Sequence, residues 1–152
     1  ADLVDAFPDI DFHIGAQTSM GPKLTCLEDK RNVHLYPGIR QEKYQDLLRN
    51  CFIYLDLNYG SEVSDVTLDA IENGQLLFGL ESTVHRHYYK DLPTVYTSLE
   101  ELEQGFRQLI QQAEFYPKAL ESQKEVLKLA EREEILAFFT RLEGEKDDDL
   151  HL

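Results

Sequence analysis

Five short apolar runs, none followed by a hairpin-length connection, constrain this chain more than any other feature. They are Ile10–Ile14, Val33–Tyr36, Phe52–Asp56, Leu76–Gly79 and Thr94–Tyr96. Antiparallel neighbours can be joined by two residues, whereas parallel neighbours need a crossover of a dozen or more. Every connection here is that long, and most carry helical periodicity. Gly15 is expected to end the first strand, and Pro37-Gly38 the second. Pro22 opens a short helix through Asp29, because a missing N–H costs little in a first turn. Tyr44, Leu47 and Leu48 share one face of a helix over residues 41–50. Asn73-Gly74 is a helix stop. The pattern predicts an α/β fold: a doubly wound, mainly parallel, Rossmann-like sheet flanked by helices. Phe52–Asp56, nearly all apolar, is expected to be the central strand.

After residue 97 the pattern becomes helical only. Ser98-Leu99-Glu100-Glu101 has the form of a capping box. Leu99, Leu102, Phe106, Leu109, Ile110 and Ala113 then make one apolar stripe. Ser122-Gln123-Lys124-Glu125 repeats the capping signal and predicts a second helix start. Ile135, Leu136, Phe138, Phe139 and Leu142 supply the apolar face of a last helix. The expected organisation is a Rossmann-like core over 1–97 and C-terminal helices over 98–142 packing on that core. Residues 143–152 are expected to be a disordered acidic tail. No internal repeat is visible.

Charge narrows the function. The 152 residues carry a net charge of −14, split evenly as −7 before residue 98 and −7 after it. Such a surface repels phosphate backbones and anionic lipids, which argues against nucleic-acid or membrane-surface partners. An anionic ligand must find a local positive site instead. No apolar run is long enough to span a bilayer, and no secretory apolar region opens the chain. Cys26 and Cys51 lie far apart among apolar neighbours. Buried, unpaired thiols in a reducing cytoplasm are the expectation.

Doubly wound sheets bind ligands at the carboxyl ends of their strands. That directs attention to the loop Leu57–Ser64, where Gly60 permits close backbone approach and the following helix start offers N–H donors to phosphate oxygens. Glu62 or Asp65 could accept from a ribose hydroxyl, while capping of the helix by Ser64 or Asp65 is the plainer role. His85-Arg86-His87-Tyr88-Tyr89 reads as a polar, aromatic loop flanking the cleft. Two histidines without a third suitably spaced ligand make a poor metal site, so no metal or other cofactor is expected. His13 and His34 fall within strands and are expected to be hydrogen-bonded structural residues. Asp9-Ile10-Asp11 precedes its strand and so sits at the wrong end of the sheet for a nucleotide-sugar metal. Asp56 lacks the companion acids and lysine of a phosphoacceptor site. No P-loop, dinucleotide fingerprint, nucleophile elbow or zinc spacing is present.

The order of these motifs resembles the C-terminal half of GT-B glycosyltransferases. Phe7-Pro8-Asp9-Ile10-Asp11-Phe12-His13-Ile14-Gly15-Ala16 is similar to one strand of that half, and Asn32–Pro37 to the next. Cys51–Asn58 with Gly60-Ser61-Glu62 is similar to the strand and donor loop. Asp69–Gly79 is similar to the E-A-x-x-x-G helix and its following strand. Within the superfamily the wording is similar to the glycosyltransferase pair of the bacterial accessory Sec system, in particular its non-catalytic, chaperone-like subunit, over about residues 7–90. The resemblance implies a UDP-sugar donor, a Ser-rich polypeptide acceptor such as a surface adhesin, a catalytic sister subunit and a cytoplasmic site of action. It places Asn58, Gly60, Ser61, Glu62 and Asp69 at the donor, with His85 and His87 beside the cleft. It names no catalytic residue. Retaining enzymes of the superfamily space two glutamates by seven residues; here Glu62 and Asp69 leave six between them, and the second acid is Asp. Two functions follow: the nucleotide-sugar-binding half of an O-glycosylating protein, with N-acetylglucosamine the expected sugar, or a non-catalytic scaffold that holds the acceptor or the sister subunit. The resemblance also implies an earlier strand and Gly-rich turn ahead of Leu3–Ala6. Without them the sheet could close up, borrow a strand or pack otherwise. Residues 1–152 alone are expected to transfer no sugar.

Overall fold

A computed structural model describes residues 2–60 and 66–148. The protein is α/β, with parallel sheets and C-terminal helices. It divides into two compact units, residues 1–52 and 53–152. The division does not follow the change of pattern at residue 97. Each unit holds one ladder of the described strands.

The first unit holds α1 (Asp2–Ala6), β1 (Phe12–Ala16), α2 (Pro22–Thr25), β2 (Val33–Pro37) and α3 (Gln41–Asn50). Strands β1 and β2 are parallel, in register from Phe12↔Val33 to Ala16↔Pro37. Phe12, Ile14 and Leu35 pack against buried Val4, Leu27 and Val33. The first strand begins later than its apolar run, because the Ile10 amide is used in a turn onto the Phe7 carbonyl. It also continues through Gly15, which pairs with Tyr36. The expected helix from Pro22 to Asp29 stops at Thr25. Beyond it the Leu27, Glu28 and Lys30 amides each reach back three residues, which is tight-turn geometry. Neither cysteine is fully buried: Cys26 is exposed and Cys51 half-buried, and both are free thiols. Burial pushes the Cys51 thiol pKa up.

Asn32 ties this unit together. Its side-chain amide donates to the carbonyls of Val4 (3.0 Å), Phe7 (3.0 Å) and Ile10 (3.2 Å). One NH2 group thus serves three backbone carbonyls of the preceding segment. Asn32→Ala is therefore expected to lower stability by about 2 kcal/mol. Asn32→Asp should cost more at neutral pH, since a carboxylate facing three carbonyls cannot donate. Denaturant midpoints of the two variants check both the loss and its order.

The second unit holds β3 (Ile53–Asp56), α4 (Val66–Glu72), β4 (Leu76–Leu80), a 3-10 turn at His87–Asp91, β5 (Val95–Tyr96), α5 (Leu99–Gln111) and α6 (Phe115–Asp148). The sheet order is β3-β4-β5, all parallel. All five residues of β4 are buried, so β4 is the central strand, contrary to the expectation for Phe52–Asp56. Residues 53–55 are only half-buried and Phe52 is 74% exposed. The apolar content of β3 had suggested two covered sides, but among the described residues it pairs only with β4. Helix α4 stops as expected. Gly74 takes a φ of +84°, its amide bonds the Ile71 carbonyl, and the Gln75 amide bonds that of Ala70. Those two bonds form the Schellman arrangement, for which a left-handed residue is required.

Helix α5 starts on its capping box. Ser98 Oγ accepts from the Glu101 amide (3.2 Å), and the Glu101 carboxylate accepts from the Thr97 amide and hydroxyl. Those bonds to the charged form hold the Glu101 pKa below its ordinary value, with the Thr97 hydroxyl the largest cause. The buried stripe is narrower than expected: Leu102, Gly105 and Phe106 are buried, while Leu99 and Ile110 are about half exposed, at 52% and 51%. The second capping signal, Ser122–Glu125, starts nothing. It lies inside α6, one 34-residue helix that begins at Phe115 and tolerates Pro117 in its first turn. Both C-terminal helices pack on β4. No described helix is long and apolar enough to cross a membrane.

Candidate functional site

Because β3 and β4 run in the same direction, the loops after them open side by side. Asp56 ends β3, is 3% exposed, and accepts from the Asn58 amide through Oδ1 (3.4 Å). Asn58 Oδ1 in turn accepts from the Gly60 amide (3.0 Å). A Cβ at position 60 would stand 3.1 Å from that same oxygen, a tight approach that the Asn58 side chain would have to yield to.

The loop after β4 fastens this one. Thr83, 3% exposed, donates from Oγ1 to the Asp56 carbonyl (2.7 Å), and its oxygen accepts from the Leu80 amide (3.2 Å). Two residues on, His85 Nε2 donates to the Gly60 carbonyl (2.8 Å). The structure thus brings together Asn58, Gly60 and His85 among the nominated residues. Asp69 is on α4, half-buried, with its backbone carbonyl taken by the amide and side chain of Asn73. Ser61, Glu62, Ser64 and Asp65 lie outside the described residues. His87 is in the 3-10 turn with its ring edge-on to Tyr88, at 5.3 Å between centroids. Thr83 was not nominated. Its signal was the spacing Gly79-x-Glu81-x-Thr83-x-His85, which places two polar side chains two residues apart on one turn.

A second polar cluster forms on β1 and β2. His13 Nδ1 meets the Tyr36 hydroxyl (2.9 Å), the His13 and His34 rings stack at 4.7 Å, and His34 Nε2 meets Asp11 Oδ1 (3.0 Å). The hydrogen bond from His34 keeps the Asp11 pKa low, and burial lowers that of His13. Both histidines lie in strands and are hydrogen-bonded. They stand near the amino ends of their strands, opposite the end at which such sheets take ligands. Among the described residues no three His, Cys, Asp or Glu side chains are grouped to share a metal ion. A groove of about 480 Å³ opens where Tyr96, Gln108, Phe115 and Ser122 meet, and none of the nominated residues lines it.

The family described as the GftB/GlyA-F C-terminal domain matches residues 1–123. A stabilizing protein of UDP-N-acetylglucosamine–peptide N-acetylglucosaminyltransferase, GtfB of Streptococcus parasanguinis, is 43% identical over 83 residues, 55% of this chain and 19% of its own length. Glycosyltransferase GlyD of Streptococcus pneumoniae is 37% identical over 84 residues, 55% of this chain and 10% of its own. A crystal structure of a GtfA/B complex bound to UDP and GlcNAc superposes with a TM-score of 0.72 at 28% identity, covering 82% of this chain and 28% of that one. The glycosyltransferase GlyE of Streptococcus pneumoniae shares the fold at a TM-score of 0.63 and 20% identity, over 70% of this chain and 28% of its own. The chain thus spans about a fifth of the length of the stabilizing protein and just over a quarter of the solved chains.

Proposed function

The chain belongs to the GftB/GlyA-F C-terminal domain family, and from that premise we propose that it is the nucleotide-sugar-facing part of a glycosyltransferase-type subunit in protein O-glycosylation. The sugar is N-acetylglucosamine carried on UDP, and the acceptor a Ser-rich polypeptide. The observation that carries this reading is the superposition at 28% identity, across 82% of the chain, on a complex that holds UDP and GlcNAc. The loop Leu57–Gly60 at the carboxyl end of β3 is where a sheet of this class receives a ligand. In this reading Asn58 and Gly60 shape the approach to the diphosphate. Asp69 accepts from a ribose hydroxyl, with Ser61 and Glu62 completing the site and His85 and His87 at its flank. Leaving-group charge would be met by backbone N–H groups, which do not require a basic surface.

A second reading has its own observation. The 43%-identical relative is a stabilizing protein, which favours a non-catalytic subunit that holds a catalytic sister or the acceptor. Titration of UDP and UDP-N-acetylglucosamine into the whole protein carrying this domain separates the two. The donor reading expects binding that Asp69→Ala weakens about 10- to 100-fold, the effect of removing a charged hydrogen-bond acceptor. Silence toward both nucleotides, with binding of the sister subunit or a Ser-rich peptide intact, would establish the scaffold instead.

A further inference from the structure

We infer that His85 is a positioning residue that sets the backbone of the Leu57–Gly60 loop for a diphosphate ligand; this rests on the donor reading above. The turn after β4 is firmly based. Thr83 and Val84 are buried, and both of their amides reach back to the Leu80 carbonyl, at 2.9 and 3.0 Å. From that base the turn grips the neighbouring loop twice. Thr83 takes the Asp56 carbonyl at the root of the loop (2.7 Å), and His85 takes the Gly60 carbonyl four residues on (2.8 Å). The two residues stand two apart on the turn, and the carbonyls they hold stand four apart on the loop.

The second grip bears on ligand chemistry. A backbone that receives phosphate does so with N–H groups, and a carbonyl turned toward the phosphate repels it. Binding the Gly60 carbonyl to His85 fixes its peptide plane and occupies that oxygen. The Gly60 amide is already held by Asn58 Oδ1, so the glycine is fastened on both sides. Donation needs only a proton on Nε2. The Nε2–H neutral tautomer and the imidazolium both provide it, so the clasp does not depend on the charge of the ring. His85 is exposed.

The test compares the whole protein with His85→Ala and His85→Gln. UDP-N-acetylglucosamine binding is measured by calorimetry, and amide hydrogen exchange over residues 57–60 is followed without ligand. Glutamine carries an N–H donor at about the reach of Nε2. The clasp predicts that His85→Ala weakens nucleotide binding tenfold or more and speeds exchange at residues 58–60, while His85→Gln recovers most of both and the melting temperature hardly moves. Wild-type binding with His85→Ala unaffected overturns the inference, as does a glutamine variant no better than alanine. A wild type silent to the nucleotide refutes the donor reading instead. In that case faster exchange in the alanine variant alone supports the clasp as a loop anchor, and unchanged exchange overturns it.

Discussion

Gly105→Ala is expected to destabilise the protein by about 3 kcal/mol, although helix propensity alone predicts a gain of about 1 kcal/mol. Gly105 lies in the middle of α5 and is buried. A Cβ built there would fall inside the van der Waals envelope of the Tyr96 hydroxyl and its ring carbon. The ring is half-buried on β5, packs 5.9 Å from Phe78 and borders the groove of about 480 Å³. Phe78 is itself held edge-on by Phe106, 5.3 Å away on α5. One methyl group therefore forces the Tyr96 ring out of its place against Phe78, or the helix away from the strand. The decisive control is the double variant Gly105→Ala with Tyr96→Leu, which removes both atoms in the way. It should be more stable than Gly105→Ala alone, with a coupling of about 1–3 kcal/mol by denaturant unfolding. Additive losses would mean that α5 slides over Tyr96 without strain.

That contact shows what a sequence conceals. Ser98 and Glu101 announced the start of α5 because a capping box is local: three residues satisfy two amides whatever else the chain does. Asn73-Gly74 was legible for the same reason, since the stop is made within one turn. Helix 41–50 was legible because its apolar spacing matches one face. Parallel pairing followed from connection length. Gly105, by contrast, looks like a weak helix former until the strand beneath it is known. Phe52–Asp56 looked central because apolar content reports burial, not position in the sheet. The Ser122–Glu125 signal failed because a capping box acts only where a helix has a free end, and the chain here is already helical from Phe115. Cys26 was read as buried from its apolar neighbours, yet it sits just after the short helix α2 and is exposed.

The site divides in the same way. The loop after β3 could be nominated because strand direction fixes which ends carry ligands, and Asn58, Gly60 and His85 do meet there. Their order along the chain says nothing about the meeting. Gly60 and His85 are 25 residues apart and are joined only because β3 and β4 are parallel neighbours. Thr83 is joined to the loop in the same way, through the Asp56 carbonyl 27 residues before it, a partner that the Gly79-x-Glu81-x-Thr83-x-His85 spacing does not name. His87 shared the cluster in sequence with His85, but the 3-10 turn carries it onto Tyr88. Proximity in sequence groups the histidines, whereas their contacts differ: His85 meets the Gly60 carbonyl and His87 the Tyr88 ring.

The amide of Gln123 makes the other large prediction. Strand β5 is two residues long and pairs with Gly79 and Leu80, so among the described residues the earlier part of β4 has no strand beside it there. Side chains substitute. Thr94 Oγ1 donates to the Leu77 carbonyl. Gln123, 2% exposed on α6, accepts from the Leu77 amide (2.8 Å) and donates to the Gln75 carbonyl (2.9 Å). Its amide takes the place of one residue of a missing strand. Gln123→Leu leaves both backbone groups buried without that partner, and about 2–5 kcal/mol should be lost. Gln123→Glu is the sharper probe. A protonated carboxyl can copy both bonds, whereas a carboxylate keeps the acceptor, loses the donor and carries a buried charge. Burial raises the folded-state pKa of that carboxyl above the unfolded value of about 4.3. The variant's stability relative to wild type is then fully present below that value and falls as pH rises toward the folded pKa, by up to about 1.4 kcal/mol per pH unit. Above the folded pKa the deficit levels off. Unfolding both proteins at several pH values from 4 to 8 reads the difference directly, since the other titrating groups are common to both. A gap that does not change with pH would show that the side chain at 123 turns out to water and that β4 manages without it.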